Sequence, residues 1–429
     1  MRDEDELRTS VVLGGGTGES RVCALATILP VNAELLTPPP LATPSHVPPA
    51  VACTMMARLL GSPLLVCVAA FLCLSPALGD VAVTEKVIDG EVDDIQWVTS
   101  SRKTVFILTD RNQLYRSTDE GKTWAPQMDK LRQAIPKTMY MSDDKAAAAS
   151  VKKIIVSAAN PDVVMFLGAK SGLWVTPDAG KSFTFTDVPE TLIGIKKDKS
   201  GVELETVLVP FHDIIPHPTE QNLILASAMS FKCHHTSWLG ACYKQLFVSE
   251  DMGKTWQGPL LTYVVQFDWA HNLGPVQAKD LAKNAIFATH FTHKKGSQKF
   301  GFWDKGIDFV MSTDNFKTEK VLVRHGNRFL FTSKFLFIAQ VNPKRQTEVV
   351  LQISKDGTKS FTVGNMPYKI KQHSYTILDT SEGQVFLHVN HEGDGAKWGN
   401  VYQSDGLGLN YTLSLPHNRR DAHGKVRVC

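Results

Sequence analysis

The sequence predicts an all-β fold built from repeated antiparallel sheets, and two observations support this prediction. An eight-residue phrase recurs: residues 117–124 read Ser-Thr-Asp-Glu-Gly-Lys-Thr-Trp, and residues 249–256 read Ser-Glu-Asp-Met-Gly-Lys-Thr-Trp. Short runs of β-branched and aromatic residues, such as residues 104–108 and 163–167, lie between the copies. Such runs favour strands. Repetition of this kind is typical of a β-propeller, in which each copy of the phrase belongs to one four-stranded blade.

The repeated phrase has the chemistry of a tight turn and matches the Asp-box, or BNR repeat, of propeller blades. The Asp and hydroxyl side chains can hydrogen-bond nearby backbone groups, and the Gly can adopt an angle that a Cβ would resist. The aromatic residue can be buried between neighbouring sheets. The residues assigned to this structural role are Ser117, Asp119, Gly121, Trp124, Asp178, Gly180, Phe183, Ser249, Asp251, Gly253, Trp256, Asp314, Asp356 and Phe361.

The spacing of the boxes predicts the number of blades. The Asp of each copy, including weaker and shortened copies, lies at position 119, 178, 251, 314, 356 or 405. A separation of roughly 40 to 75 residues accommodates four strands and their loops, so we expect about six blades. The alternative is that each Asp is a catalytic group or a calcium ligand. A residue repeated with the scaffold more often serves the scaffold, which favours the structural interpretation.

The N-terminal part has the pattern of a targeting segment. Residues 59–74 are apolar, Arg58 precedes them, and small residues at 77–79 follow. This pattern predicts a secretory signal peptide at residues 55–79, cleaved before Asp80, with an uncleaved membrane anchor as the alternative. Residues 1–54 are Pro-rich and lack periodicity. We interpret them as a disordered leader or as translated upstream sequence. The propeller is then expected within residues 80–429.

Composition and cysteine usage argue against a nucleic-acid-binding protein and against a zinc site. The 429 residues are 43% apolar with a formal net charge of +3, and no basic block favours nucleic acid. Three cysteines follow the signal. In an oxidising lumen Cys233 and Cys242 are predicted to form a disulfide, because a zinc site with His234 and His235 would lack the usual ligand spacing. The last residue, Cys429, is expected to pair beyond the end of this chain.

One sequon supports passage through the secretory pathway. Residues 410–412 read Asn-Tyr-Thr, which makes Asn410 an acceptor for N-glycosylation in a luminal surface loop. Together with the signal peptide and the cysteine pair, it predicts a protein of the secretory pathway lumen.

Taken in their order along the chain, the boxes, the strands and the cysteine pair resemble the VPS10-domain family of sortilin-type sorting receptors. The resemblance covers about residues 90–420 and rests on residues 104–109, 114–117, 173–180, 217–226, 328–331, 374–378 and 385–389, with the cysteine pair. It implies a ten-bladed propeller whose tunnel binds protein or peptide cargo, followed by a cysteine-rich module, a transmembrane helix and a cytosolic tail. With about six of the ten blades, the chain is expected to be a C-terminally truncated propeller with an incomplete ring.

The resemblance also implies what the chain does. A sortilin-like receptor sorts protein cargo between the Golgi, endosomes and the cell surface, so the chain is expected to be its luminal ligand-binding domain. No catalytic residue, cofactor, metal or nucleic acid is expected. Membrane association would come only through a C-terminal helix missing from this chain. A soluble cargo-binding fragment without sorting activity is an alternative.

The family grips a peptide C-terminus with an Arg, a Ser and a Tyr, and one of the three positions matches here. The Tyr position is Tyr375, whereas the Arg position falls on Glu348 or Val349 and the Ser position falls near Ala339. The resemblance therefore implies a ligand-binding role for Tyr375, whereas the Arg and the Ser of the carboxylate clamp have no match at these positions. The alternative is that Tyr375 fills the core of a strand.

An Asp-box enzyme, a sialidase or a propeller glycoside hydrolase, is the competing function. A sialidase needs several arginines that converge on the carboxylate of its substrate, and no such arginine motif is present near the mature N-terminus. A glycoside hydrolase needs two carboxylates that face each other across the bond. Asp213 and Asp268 are candidates, and the sequence alone does not bring them together.

Overall fold

The computed structural model describes residues 87–136, 149–169, 172–197, 203–234, 242–293, 298, 306–331, 334–371, 375–379, 383–390, 398–420 and 426–427. The chain divides into two compact units, one comprising Met1–Gly15 and Ile88–Cys429 and the other Gly16–Val87. Apart from Val87, every described residue belongs to the first unit. The predicted leader, signal peptide and Cys429 lie outside the described residues.

Most of the described chain forms six antiparallel sheets, each made of consecutive strands. Sheet 1 contains β1–β4, sheet 2 β5–β8, sheet 3 β11–β14, sheet 4 β15–β18, sheet 5 β19–β23 and sheet 6 β24–β28, and β9 and β10 form a separate hairpin. Strands β1–β14 are Val92–Val98, Thr104–Thr109, Leu114–Ser117, Ala125–Pro126, Val151–Val156, Val164–Gly168, Leu173–Thr176, Thr184–Thr186, Ile193–Lys197, Glu203–Leu208, Phe211–Pro216, Ile224–Met229, Lys244–Ser249 and Gln257–Thr262. Strands β15–β28 are Val264–Trp269, Ile286–Phe291, Ile307–Ser312, Lys320–Val323, Gly326–Phe331, Leu336–Val341, Glu348–Ser354, Thr362–Val363, Ile370–Lys371, Tyr375–Asp379, Phe386–Val389, Trp398–Ser404, Tyr411–Arg420 and Val426–Arg427.

Helical structure in the described residues is limited to short segments. One α-helix, α1, spans Met128–Gln133, and 3₁₀ turns span Glu190–Leu192, Phe231–His234 and Ala270–Leu273. Helix α1 buries Met128 and Leu131 between sheets 1 and 2. The described part of the chain contains no helix that is long and apolar enough to cross a membrane.

The second strand of each sheet is buried on both faces. Every residue of β2 and of β6 is buried, and the burial of β12 and β16 is broken only at their last residue. These strands read as continuous apolar runs because sheets pack against both of their faces. In contrast, the outer strands β4 and β22 have two residues each and are exposed.

Successive sheets pack face to face through five separate apolar cores. In β6, Val164 and Phe166 contribute to the core with sheet 1, whereas Met165 and Leu167 contribute to the core with sheet 3. The remaining cores join sheets 3 and 4, sheets 4 and 5, and sheets 5 and 6. Because alternate residues of a strand face opposite sides, one sheet serves two neighbouring cores. This is the packing of propeller blades, and the predicted all-β propeller is confirmed; the number of blades stays a prediction.

The first strand of each sheet lies at the inner edge, and in sheets 1 to 5 its ladder is interrupted near its start. Strand β1 lies beside β5, and β15 lies beside β19. Strands β1, β5, β11, β15 and β19 each show a shift of register after their first paired residue. Such a bulge bends the strand and redirects its side chains. The residues that resume the pairing are polar in all five strands: Asp94, Lys153, Asp213, Gln266 and Arg328.

Candidate functional site

The Asp-boxes form one hydrogen-bonded turn that recurs in sheets 1 to 5. In the box of sheet 3, Ser249 Oγ donates to Asp251 Oδ1 at 2.8 Å and accepts the N–H of Gly253 at 2.8 Å. The Asp251 carboxylate accepts the N–H of Thr255 at 2.8 Å and its hydroxyl at 2.6 Å. Equivalent bonds occur in the boxes that begin at residues 117, 176, 312 and 354.

The box carboxylates are occupied by the turn itself. Hydrogen bonds from Thr123 lower the pKa of Asp119 to about 2, and bonds from Ser360 lower that of Asp356 to about 2. Such carboxylates stay ionised and already have partners for both oxygens. Among the described residues, no three His, Cys, Asp or Glu side chains are placed to hold a metal ion.

The boxes of sheets 2, 3 and 5 also join their sheets to the preceding ones. The box aromatics Phe183, Trp256 and Phe361 pack against the cores that their sheets share with the preceding sheets. Arg116 Nε of sheet 1 donates to the carbonyl of Ala179 in the box of sheet 2 at 2.7 Å. In sheet 1, Trp124 is half-buried. The box residues therefore contribute to packing between sheets as well as to the turn.

Two boxes keep this geometry without Gly at the usual position. Phe316 and Thr358 donate the N–H that Gly121 donates in sheet 1, and both have positive φ, at 59° and 85°. The shortened copy in sheet 6 differs, because Asp405 accepts from the N–H groups of Leu407 and Leu409.

Tyr375 lies in the core between sheets 5 and 6. It begins β24, is half-buried, and packs against a cluster that includes Phe337, Ala339 and Leu351. Burial raises the pKa of Tyr375 above its ordinary value, while the nearby charge of Arg328 acts in the opposite direction. Because the net shift is upward, the phenol keeps its proton and remains a hydrogen-bond donor.

Arg328 and Tyr375 form the candidate ligand site. Arg328 of β19 pairs with Ala339 of β20, so its side chain shares the face of sheet 5 that carries Ala339. That face packs against sheet 6, where Tyr375 begins the first strand. Arg328 is exposed, and it follows the bulge of an inner-edge strand. The two residues thus place a guanidinium and a phenol together at the inner edge of one seam.

The other positions of the expected clamp contribute no ligand group. Ala339 and Val349 are both buried in the core between sheets 5 and 6. Glu348 pairs with Arg345 at 3.2 Å and with Lys369 at 3.4 Å. Sequence reasoning missed Arg328 because the expected clamp positions lie on β20 and β21. Arg328 lies on β19, the strand that pairs with β20. Its proximity to the expected positions can be recognised only once the register of β19 and β20 is known.

The carboxylates weighed for a hydrolase lie in different environments. Asp213 is partly buried, which raises its pKa. Bonds from His212 at 3.0 Å, Ser227 at 2.8 Å and Lys244 at 3.4 Å hold that pKa well below its usual range. Burial raises the pKa of Asp268 to about 6. Asp213 follows the bulge of β11, whereas Asp268 is the fifth residue of β15, and no described hydrogen bond or ion pair connects them.

Cys233 and Cys242 are joined by a disulfide bond, and the carbonyl of Cys242 accepts the N–H of Gln298 at 2.6 Å. Gln298 accepts the N–H of Lys244 at 2.9 Å and donates to the carbonyl of Val264 at 2.6 Å, which ties sheet 3 to sheet 4. Both sulfurs are used in the bond, so neither is a thiolate ligand. His235, weighed with them for zinc, lies outside the described residues.

Asn410 is exposed and directly precedes β27, the last long strand. Its Nδ2 donates to Asp405 Oδ2 at 2.8 Å. A glycosylated amide retains one N–H, so this bond is compatible with a glycan at the same nitrogen.

Known solved structures show weak similarity in fold. A GH74 enzyme of Niastella koreensis covers 76% of this chain and 45% of its own, with 14% identity and a TM-score of 0.39. YCF48 from Cyanidioschyzon merolae covers 80% of this chain and 89% of its own, with 14% identity and a TM-score of 0.37. At these scores neither protein bears on the function of this chain.

Sequence relatives are more informative. A vacuolar protein sorting/targeting protein 10 of Aspergillus flavus is 22% identical over 333 residues, which are 76% of this chain and 19% of that protein. The protein of the same name from Laccaria bicolor is 27% identical over 256 residues, 59% of this chain and 16% of that protein. The chain thus spans less than a fifth of the length of these relatives, whose names describe sorting and not catalysis.

A family model settles the relationship. The model described as "Sortilin, neurotensin receptor 3" matches residues 136–428, about two thirds of the chain, and includes the seam that holds Arg328 and Tyr375. The prediction of a non-enzymatic protein agrees with this family. The chain belongs to the Sortilin-Vps10 family.

Proposed function

We propose that the described sheets are the ligand-binding luminal part of a sorting receptor, which binds protein or peptide cargo and carries it between the Golgi, endosomes and the cell surface. The match to the Sortilin-Vps10 model over residues 136–428 is the observation that carries this proposal. The names of the curated relatives, vacuolar protein sorting/targeting proteins, support a role in the endomembrane system.

The proposed contact with cargo is the pair Arg328 and Tyr375. A guanidinium binds a carboxylate through charge-assisted hydrogen bonds, and a protonated phenol adds one further donor. Partly exposed apolar residues lie along the same seam, including Leu330 and Ile377. A peptide that offers a carboxylate next to an apolar side chain would fit this combination of charge and apolar surface.

A peptide library tests the proposal over many C-terminal sequences at once. Synthetic peptides with four random C-terminal residues, made with a free carboxylate or an amide, are captured on the secreted chain and identified by mass spectrometry. We expect a set of carboxylate peptides to be enriched, with affinity about 10- to 100-fold weaker for Arg328→Gln because a charged hydrogen bond is lost. Tyr375→Phe, which removes only the hydroxyl, should weaken binding less.

Arg324→Gln is the matched control. Arg324 is exposed, lies four residues before Arg328, and its guanidinium lies 3.8 Å from Asp308. If a folded wild-type chain enriches no peptide, the ligand-binding function is wrong. If peptides are enriched and Arg328→Gln binds them as Arg324→Gln does, the function stands and the proposed site is wrong.

We further propose that the described part lies in the lumen of the secretory pathway. The disulfide between Cys233 and Cys242 and the exposed acceptor Asn410 support this location. The signal peptide at residues 55–79, and membrane attachment through a C-terminal helix outside this chain, stay predictions. N-terminal sequencing of the secreted chain tests cleavage before Asp80.

A further inference from the structure

Two imidazoles meet where the inner strands of sheets 3 and 4 end. His217 directly follows β11 and is fully buried, and His271 lies in the 3₁₀ turn that follows β15. Their ring centroids are 4.7 Å apart. Trp269, the last residue of β15, lies edge-on to His217 at 4.8 Å. The contact therefore joins the exit of one inner strand to the exit of the next.

The hydrogen bonds of His217 require a neutral ring. Its Nδ1 accepts the N–H of Thr219 at 3.2 Å and the N–H of Glu220 at 3.0 Å. In this tautomer the single ring proton is on Nε2. A second proton would have to be placed on Nδ1, where it would face two donors. Protonation thus removes both N–H bonds that the His217 ring accepts in the turn after β11, whereas the main-chain bond from His217 N–H to the carbonyl of Leu223, 2.9 Å, does not titrate.

The charges around the ring also oppose protonation. Burial, the neighbouring His271 and the Lys283 ammonium lower the pKa of His217 to about 4, against the favourable main chain of Lys283 and the Glu220 carboxylate. The Glu220 carboxylate forms an ion pair with Lys283 at 2.9 Å, so it stabilises a protonated His217 less than a free carboxylate would. Burial also lowers the pKa of His271, against the charge of Glu220. His271 Nδ1 is buried and has no hydrogen-bond partner among the described residues.

We propose that the contact between His217 and His271 is an acid-opened latch between sheets 3 and 4. The latch holds the strand ends together while both rings are neutral. When protonated, the rings repel each other, and the N–H groups of Thr219 and Glu220 lose their acceptor on the His217 ring. The bond from Trp269 Nε1 to the carbonyl of Ile215, 3.0 Å, carries no titratable group and keeps the strands attached. Opening is therefore local, at residues 217–220 and 270–273, and does not depend on the proposed cargo function.

Proton linkage gives the size and the direction of the effect. An opened His217 titrates near 6.5, and the closed ring near 4. Because the folded pKa is lowered, the open form gains protons first as the pH falls. The opening equilibrium should rise by up to about tenfold per pH unit below 6.5 and by roughly 150-fold at pH 4, where the closed ring is itself half protonated. The latch stays closed above pH 6.5.

Hydrogen exchange measures this opening directly. The secreted chain is exchanged at pH 7.0, 6.0, 5.0 and 4.0, and peptides from residues 211–223 and 264–275 are analysed after correction for the intrinsic exchange rate. His217→Asn keeps an acceptor in place of Nδ1 and does not titrate; it is combined with His271→Gln. We expect both wild-type peptides to lose protection as the pH falls, and the double variant to show no pH dependence there. His293→Gln changes an exposed histidine and should behave as wild type.

A charged variant keeps the test decisive if His217→Asn fails to fold. His271→Arg carries a permanent charge next to His217, so it should expose residues 217–220 at pH 7.0. Protection equal to wild type at pH 7.0 in His271→Arg would overturn the latch. So would an acid-induced loss of protection in the double variant that equals the wild-type loss, because another group would then be responsible.

Discussion

Two glycines at the same position of two boxes give a sharp test of how the sheets are joined. Gly121 and Gly180 each donate an N–H to the first hydroxyl of their box, at 2.8 and 2.7 Å, with φ of +90° and +86°. An Ala at either position adopts a left-handed conformation, which costs about 1–2 kcal/mol. The backbone cost is therefore common to Gly121→Ala and Gly180→Ala.

The two positions differ in what a Cβ would meet. At Gly121 it lies 3.4 Å from Trp124 Cζ2, an ordinary contact within the same box. At Gly180 it lies 2.6 Å from Phe106 Cζ, in sheet 1, and 2.9 Å from Arg116 Cδ. Phe106 is fully buried and packs on Phe166 at 5.0 Å, so it cannot move without disturbing the core. Overpacking of this kind adds about 1–3 kcal/mol.

Urea unfolding at pH 7, followed by circular dichroism, measures the difference. We expect Gly180→Ala to lose about 1–3 kcal/mol more unfolding free energy than Gly121→Ala. Phe106→Leu should restore part of the loss in the Gly180→Ala background, which appears as a coupling energy in a double-mutant cycle. Equal losses of unfolding free energy in the two glycine variants, or no coupling with Phe106, would refute the inference that the box of sheet 2 packs tightly against sheet 1.

Three further predictions concern single groups. Asp268→Asn should raise the unfolding free energy at pH 8 by at most about 3 kcal/mol, because the pKa of Asp268 is raised to about 6 and its ionised form is disfavoured in the fold. This gain in stability should fade as the pH falls from 6 to 4. A gain that does not depend on pH would contradict the assigned cause. Replacing Cys233 and Cys242 by Ser opens a loop with a sequence separation of 9 and should lower the free energy of unfolding, measured in urea, by about 2–3 kcal/mol. An unchanged free energy of unfolding would show that the loop is constrained without the disulfide. Asn410 should carry a glycan, so glycosidase should reduce the mass of the secreted chain and leave Asn410→Gln unchanged.

The boxes could be predicted because their chemistry is local. Ser117, Asp119 and Thr123 bond one another within a few residues, so the sequence alone contains every partner. The same local logic explains why the weaker boxes form the same turn. Phe316 and Thr358 replace Gly at positive φ, and the hydroxyl and carboxylate bonds are retained.

The candidate site depends on partners that are distant in sequence. Arg328 and Tyr375 approach each other only because β19 pairs with β20 in one register and sheet 5 then packs on sheet 6. A bulge between Gly326 and Arg328 shifts which residues share a face. A period-2 pattern does not reveal a bulge, so the sequence indicates Tyr375 through family resemblance and does not indicate Arg328.

The five cores between consecutive sheets have a consequence for how the chain acquires its structure. Each core joins a sheet to the one before it along the chain, so a newly synthesised segment finds its docking partner already formed. Folding can then proceed vectorially from the N-terminal sheet, one segment at a time, as for repeat proteins with nearest-neighbour coupling. A defect in one sheet would stall the sheets that follow it and spare those already folded. Quality-control factors would thus encounter intermediates with a folded N-terminal part and a single unpaired sheet face.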